Sequence, residues 1–224
     1  MSSAGNPHWP FFGLRVTTPR LELRYPDDDD AVRVADLAAR GVHPPDYMPF
    51  SFPWTDEQPP LQQTRSVQFL WRARGTLMPE AWTLPMAVMV DGEPVGLQDV
   101  GSVPTTDFRV TKAVQTGSWL GQAHQGQGIG KEMRAAILHL AFAGLGAEVA
   151  FSGAFVDNHA SIAVSRALGY EDDGFEVHER KGEAARQIRF RMERAAWEAR
   201  GRHDIEISGL EPCLPLLGLS SPQA

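Results

Sequence analysis

The sequence predicts a single α+β domain in which helices flank a central mixed, mostly antiparallel sheet. Three observations carry that expectation. Strand-like stretches outnumber helical ones, in the order β-α-α-β-β-β-α-β-α-β-β. A hairpin and meander in the middle of the chain exclude an all-parallel, doubly wound sheet. The 224 residues, 42% hydrophobic and 22% charged, suit one domain at 14–200 with an N-terminal arm at 1–13 and a tail at 201–224.

"LRVTTPRLELRYP" (14–26) alternates apolar and polar residues like a half-buried strand, and Pro19 within it points to an edge position or a bulge. "DDDDAVRVADLAARG" (27–41) opens with acids that favour a helix N-terminus and stops at Gly41. The acid run reads as a solvated helix start, since no interleaved ligand pattern accompanies it; no metal is expected. Prolines bar "VHPPDYMPFSFPWTDEQPP" (42–60) from being a helix. Its aromatic residues either plug the edge of the core or form a binding loop. In the second case Tyr47, Phe50 and Trp54 are the candidate substrate contacts.

Residues 61–77 read as a second helix with Val67, Leu70 and Trp71 on one side. "WTLPMAVMVDGEPVGLQDVGSV" (82–103) is a hairpin closed by an Asp-Gly turn, and 111–121 supplies another strand. From Ile129 a helix follows, with Met133, Ala136, Ile137 and Leu140 on its apolar face and Lys131, Glu132 and Arg134 off that face. A strand at 148–158 and a short helix at 160–168, stopped by Gly169, precede two last strands near 174–180 and 186–194. The first part of the tail is apolar enough to dock.

Composition narrows the function. A formal charge of −7 argues against nucleic-acid capture, which needs a basic face. Cys213 is the only cysteine, so no intrachain disulfide forms and a buried structural thiol is the expectation. No secretion signal or bilayer-length apolar stretch is visible, so a cytoplasmic location without a membrane partner is expected.

The segment "GSWLGQAHQGQGIGKEMRAAILHL" (117–140) holds the chemistry. Glycines at 126, 128 and 130 open directly into a helix. The N–H groups that begin a helix lack intrahelical partners and carry partial positive charge, which suits a diphosphate. The Walker pattern fails, with Gln125 in place of its first glycine and Glu132 in place of its Ser/Thr; the dinucleotide G-x-G-x-x-G spacing fails as well. What stands there is Q-x-x-G-x-G, from Gln125 to Gly130, between a strand and a helix.

With "DNHASIAVSRALGY" (157–170) and "TPRLELR" (18–24), this segment resembles the GCN5-related N-acetyltransferase (GNAT) superfamily, and within it the RimJ/RimL-type branch. The likeness runs from about residue 14 to 195. It implies a GNAT-like fold and transfer of an acyl group from acetyl-CoA or another acyl-CoA to a primary amine, a small molecule or a protein N-terminus. Succinyl-CoA is an alternative donor, and a non-catalytic acyl-CoA sensor an alternative role. The cofactor contacts it implies are Ser118, Trp119, Leu120, Gln125, Gly126, Gln127, Gly128, Ile129, Gly130, Lys131 and Asn158. A backbone N–H near Trp119 or Leu120 would polarise the thioester oxygen.

Ser161 and Ser165, four apart on one helix face, are candidate proton donors to the thiolate or else small packing residues. Asn158 doubles as a helix N-cap. Asp99, Glu179 and His178 are the candidate bases, each with a plain surface role as its rival, and a water chain could serve instead. Tyr170 fills the aromatic position of the L-G-[FY] segment and is expected in the core. The apolar tail offers one route to a homodimer.

Overall fold

The computed structural model describes residues 6–201 and 204–220. Residues 1–5 of the expected arm, and 202–203 and 221–224 of the expected tail, lie outside them. The strands are β1 (Arg15–Thr17), β2 (Glu22–Arg24), β3 (Thr83–Val90), β4 (Glu93–Ser102), β5 (Ala113–Leu120), β6 (Val149–Phe155), β7 (Glu171–Arg180), β8 (Glu183–Glu193) and β9 (Glu206–Ser208). Between them run helices α1 (Asp28–Ala39), α2 (Leu61–Gly75), α3 (Phe108–Thr111), α4 (Ile129–His139), α5 (His159–Ala167) and α6 (Arg194–Glu198).

All nine strands join one sheet in the order β7-β8-β6-β5-β4-β3-β2-β1-β9. Every pairing is antiparallel except β5 with β6, which makes the sheet mixed as the pattern predicts. Alternation along β3 splits the interior in two. Leu84, Met86 and Val88 join the large core built with α4, whereas Ala87 and Met89 pack on Ala31, Val34 and Leu70 of α1 and α2.

Several expectations need correction. The first strand is two strands: Thr18 N–H donates to Leu21 C=O, and Pro19 lies in that turn rather than at a bulge. Trp71 does not face inward with Leu70; it is 53% exposed and its indole N–H donates to Asp28. Of the acid run, Asp30 is buried, paired with Arg24 at 2.5 Å, because a carboxylate one turn into α1 meets β2 directly. Arg134 is buried rather than off the apolar face.

The described parts of the expected arm and tail belong to the same core. Phe11 is fully buried, β9 pairs with β1, and Cys213, Leu214 and Leu217 are buried. The hairpin turns behave as written: Asp91 and Gly92 both adopt positive φ (51° and 79°), the conformation that Asp-Gly favours.

Candidate active site

The parallel pair β5–β6 is short. Only Ala113–Val149, Val114–Ala150 and Gln115–Phe151 are in register, and from Thr116 to Leu120 the edge of β5 no longer has β6 beside it. A parallel ladder bonds both strands evenly along its length, so its end leaves a wedge lined by unpaired backbone. The N-terminus of α4 opens beside this wedge.

Gly128 is the N-cap of α4, left-handed at φ 79°, and offers no side chain to cap the helix. Gly126 has φ 73°; both positions favour glycine for this reason. Among the described residues, the N–H groups of Gln127, Gly128, Ile129, Gly130 and Lys131 donate to no protein acceptor. The buried Ile129 side chain leaves only its N–H to the loop, and Lys131 is exposed.

Gln125 has a different place from the one its position suggests. Its side-chain amide donates to Val42 C=O (2.7 Å) and Leu120 C=O (3.0 Å), tying the loop to the end of β5 and the segment after α1. The amide of Gln127 likewise turns back to Ala123 C=O. Arg20, which sequence reasoning missed, reaches the loop from the β1–β2 turn: its guanidinium donates to Gln127 C=O (3.1 Å) and pairs with Glu132. Nothing local marked it, because 107 residues separate the partners of that hydrogen bond.

On the other side of the wedge, Asn158 caps α5 by accepting the N–H of Ser161 (3.1 Å). Its carboxamide nitrogen keeps its donors free of protein partners among the described residues. Ser161 is half-buried and near the cap. Ser165 is fully buried, and its hydroxyl finds no partner in the protein. A buried hydroxyl left unmatched is costly unless something else meets it.

Asp99 lies on β4 opposite Gly117 of β5. Its carboxylate rests over that glycine and accepts its N–H at 2.9 Å. A Cβ on residue 117 would stand 2.9 Å from Asp99 Oδ2, so any side chain there would push the carboxylate from its place. Burial pushes the Asp99 carboxyl up to about 6, against the opposing pull of the Gly117 N–H and the Arg134 charge. That value suits a base working near neutrality. Glu179 is exposed, and His178 bonds Glu176 at 3.0 Å.

Arg134 bridges the wedge, donating to Ser152 of β6 (3.0 Å) and Ser118 of β5 (3.1 Å). Tyr170 is buried, as expected of its aromatic position, but its hydroxyl is unmatched; burial raises its pKa, and Arg134 and Thr116 act against that rise.

A groove of about 630 Å³ opens on the sheet face, between Gln115, Phe151, His178 and Arg189, and reaches Thr116 and Ser152. The aromatic loop packs on β5 at Trp119. Phe50 and Trp54 (5.3 Å) and Trp54 and Trp119 (5.7 Å) form a stack that ends on β5. Tyr47 is half-buried near Asp157 and Arg180, its phenol raised to about 12 by burial and by the Asp157 charge. Arg180 grips Asp157 through both guanidinium nitrogens (2.9 Å each) and donates to Met48 C=O, while Lys181 pairs with Asp56 at 2.8 Å. The tip of the β7–β8 hairpin is thereby fastened to the aromatic loop.

A wedge between two parallel strands, facing an uncapped glycine-rich helix N-terminus, is set in a family match. The family model described as "Acetyltransferase (GNAT) domain" covers residues 20–171, more than half the chain. The chain is a member of the GNAT acetyltransferase family. Solved GNAT structures share its fold at low identity. A Vibrio cholerae protein described as a ribosomal-protein-serine acetyltransferase superposes with TM-score 0.61 at 20% identity, covering 80% of this chain and 97% of its own. A GCN5-related N-acetyltransferase from Brucella melitensis gives 0.63 at 17%, covering 83% and 80%. Mycobacterium smegmatis RimJ, solved with CoA-disulfide, gives 0.59 at 18%, covering 88% and 98%.

The GNAT sheet and its flanking helices are thus those the sequence pattern predicts. Among the described residues no helix is long and apolar enough to cross a membrane, and no group of three or more His, Cys, Asp or Glu could hold a metal ion.

Proposed function

We propose that this GNAT protein is an acyl-CoA-dependent N-acyltransferase of the RimJ/RimL type that acylates a primary amine, with a protein N-terminus as the favoured acceptor. The observation that carries the reading is the wedge at the end of the β5–β6 ladder with five unpaired N–H groups beside it. Coenzyme A fits the residues present: the loop has positive-φ glycines and donors without acceptors, and Ser165 brings an unmatched buried hydroxyl. When bound, coenzyme A supplies the acyl group as an activated thioester.

The residues divide the remaining tasks. The N–H groups from Gln127 to Lys131, with Gly126 giving the turn, hold the diphosphate, and Arg20 and Lys131 add charge at the rim. The free edge of β5 at Ser118, Trp119 and Leu120, with the Asn158 amide, lines the arm that carries the thioester. An N–H near Trp119 or Leu120 polarises the carbonyl oxygen. Asp99 takes a proton from the attacking amine, and Ser165 delivers one to the departing sulfur, with Ser161 one turn away.

The acceptor enters by the sheet-face groove between Gln115, Phe151, His178 and Arg189, and Tyr47, Phe50 and Trp54 of the aromatic loop are its candidate apolar contacts where the stack meets Trp119. The ribosomal-protein acetyltransferase and RimJ among its structural relatives support a protein acceptor. The apolar side chains of the tail pack on the protein's own core, so a homodimer joined through them, expected from the sequence, is not part of this reading.

Calorimetry with coenzyme A, followed by thiol release with a panel of peptides and small amines, tests the proposal. Gly128→Ala should weaken CoA binding at least tenfold, since the left-handed φ of 79° disfavours a side chain and a methyl there, in ordinary contact with Arg20 at 3.4 Å, would stand beside the free donors. The positive φ costs it about 1–2 kcal/mol, so a melting point lower by roughly 2–8 °C is expected. Unchanged CoA affinity would remove the loop from the proposal. Binding without release for any amine would make the protein a sensor.

A further inference from the structure

We propose that the buried guanidinium of Arg134, together with the Tyr170 hydroxyl, seats a small monovalent anion of halide size where β5 and β6 part. The inference goes beyond the acyltransferase reading and does not depend on it.

Arg134 lies on α4 and is only 4% exposed. A guanidinium withdrawn from water is costly unless an anion and hydrogen bonds compensate it. Its hydrogen bonds among the described residues go to two neutral hydroxyls, Ser152 at 3.0 Å and Ser118 at 3.1 Å. The carboxylate that its charge reaches is Asp99. Strand alternation puts Asp99 on the sheet face of Leu97, opposite to the face of Val100 that α4 covers, and there it accepts the Gly117 N–H. The charge on the α4 side is left without a counter-ion in contact.

Two donors beside that charge are buried and unmatched: Nε of Arg134 and the hydroxyl of Tyr170, a residue only 5% exposed. The two groups are neighbours, since Arg134 and Thr116 both act against the rise that burial gives the Tyr170 phenol. Ser118 and Ser152 accept from the guanidinium, so each keeps its own hydrogen to donate. Gln98, fully buried and in register with Ser118, gives its amide nitrogen to the Gly117 and Asp99 carbonyls and leaves its oxygen unmatched. A neutral oxygen can take one N–H, but it does not balance a positive charge.

The arrangement selects the kind of anion. The two terminal nitrogens of the fork, which a carboxylate or phosphate would grip as a pair, already hold the two serines. The donors left over are one edge nitrogen and hydroxyls from β5, β6 and the residue before β7. Such a non-planar set suits a single acceptor atom, and one buried positive charge calls for one negative charge. The sheet-face groove reaches Thr116 and Ser152, which gives the anion a path from solvent. Bound there, it ties α4 to both strands at the place where their ladder ends.

Unfolding of the intact protein at constant ionic strength tests this, with sodium chloride exchanged stepwise for sodium gluconate, whose anion is too large for the seat. Tm should rise saturably with chloride, by roughly 5–10 °C at a hundredfold excess over Kd. Arg134→Met should abolish that dependence. Tyr170→Phe keeps the ring and the guanidinium but removes one donor, so it should move the chloride midpoint upward by about threefold or more; it carries the test if the methionine variant does not fold. Crystals grown in bromide should show its anomalous peak beside Arg134 Nε and the Tyr170 hydroxyl. Equal Tm in the two salts overturns the inference, as does a chloride effect that persists unchanged in Arg134→Met or bromide found only at other places. Stronger stabilisation by acetate than by chloride overturns it too, because a carboxylate would then be gripping the fork. None of these outcomes touches the binding of coenzyme A at the glycine loop, which calorimetry reads separately.

Discussion

Replacing Asp99 by Asn separates two consequences of one buried carboxylate. Its pKa rises from an ordinary 3.8 to about 6, so the folded protein holds the proton more tightly than the unfolded chain does. A group of this kind adds nothing to the stability difference below about pH 4, where both states are protonated. Its cost grows as pH rises through 4 to 6 and is complete above that. At about 1.4 kcal/mol per unit, a shift of two units makes the ionised carboxylate worth about 3 kcal/mol of lost stability at pH 8. Partial solvent access makes this an upper bound.

Asn retains an oxygen to accept the Gly117 N–H but carries no charge. Asp99→Asn should therefore match the parent at pH 4 and be more stable at pH 8, by up to about 3 kcal/mol or roughly 6–12 °C in Tm. Urea unfolding at pH 4, 6 and 8 reads the difference directly. In the same variant kcat/KM should fall by about 10²-fold or more, and the parent's rate should rise with pH around an inflection near 6. A stability gain independent of pH, or a loss at pH 8, would refute the burial argument. Retained activity would place the base elsewhere.

Ser165→Ala should slow turnover more than it weakens CoA binding, because its fully buried hydroxyl has no protein partner to lose; equal losses would assign it to packing. Arg180→Ala removes the grip on Asp157 and on the Met48 carbonyl, so the acceptor KM should rise several-fold with CoA affinity unchanged, and protease should cut the 42–60 loop faster. Cys213, fully buried with its thiol pushed up to about 12, should resist thiol reagents in the native protein and react only on unfolding.

Short-range chemistry was legible in the chain. Periodicity marks a strand or helix because the side-chain repeat is a local property, and so the hairpin at Asp91–Gly92, the apolar face of α4 and the Asn158 cap followed from the residues alone. The glycine loop was legible for the same reason: its free backbone donors and glycine conformations lie within six positions.

Contacts made across the sheet were not legible. Pro19 in a turn, β9 as a ninth strand and Arg20 over the loop each depend on a partner remote in sequence. Arg134 shows the reason most sharply. Helical spacing places it beside polar neighbours, and only the parting of β5 from β6 makes room for a guanidinium between Ser118 and Ser152. The sequence by itself determined most of the elements, the sheet class and the glycine-rich start of α4, because these arise from neighbouring residues. The tertiary structure alone decided which charges are buried beside that terminus, because burial is set by what the rest of the chain brings against them.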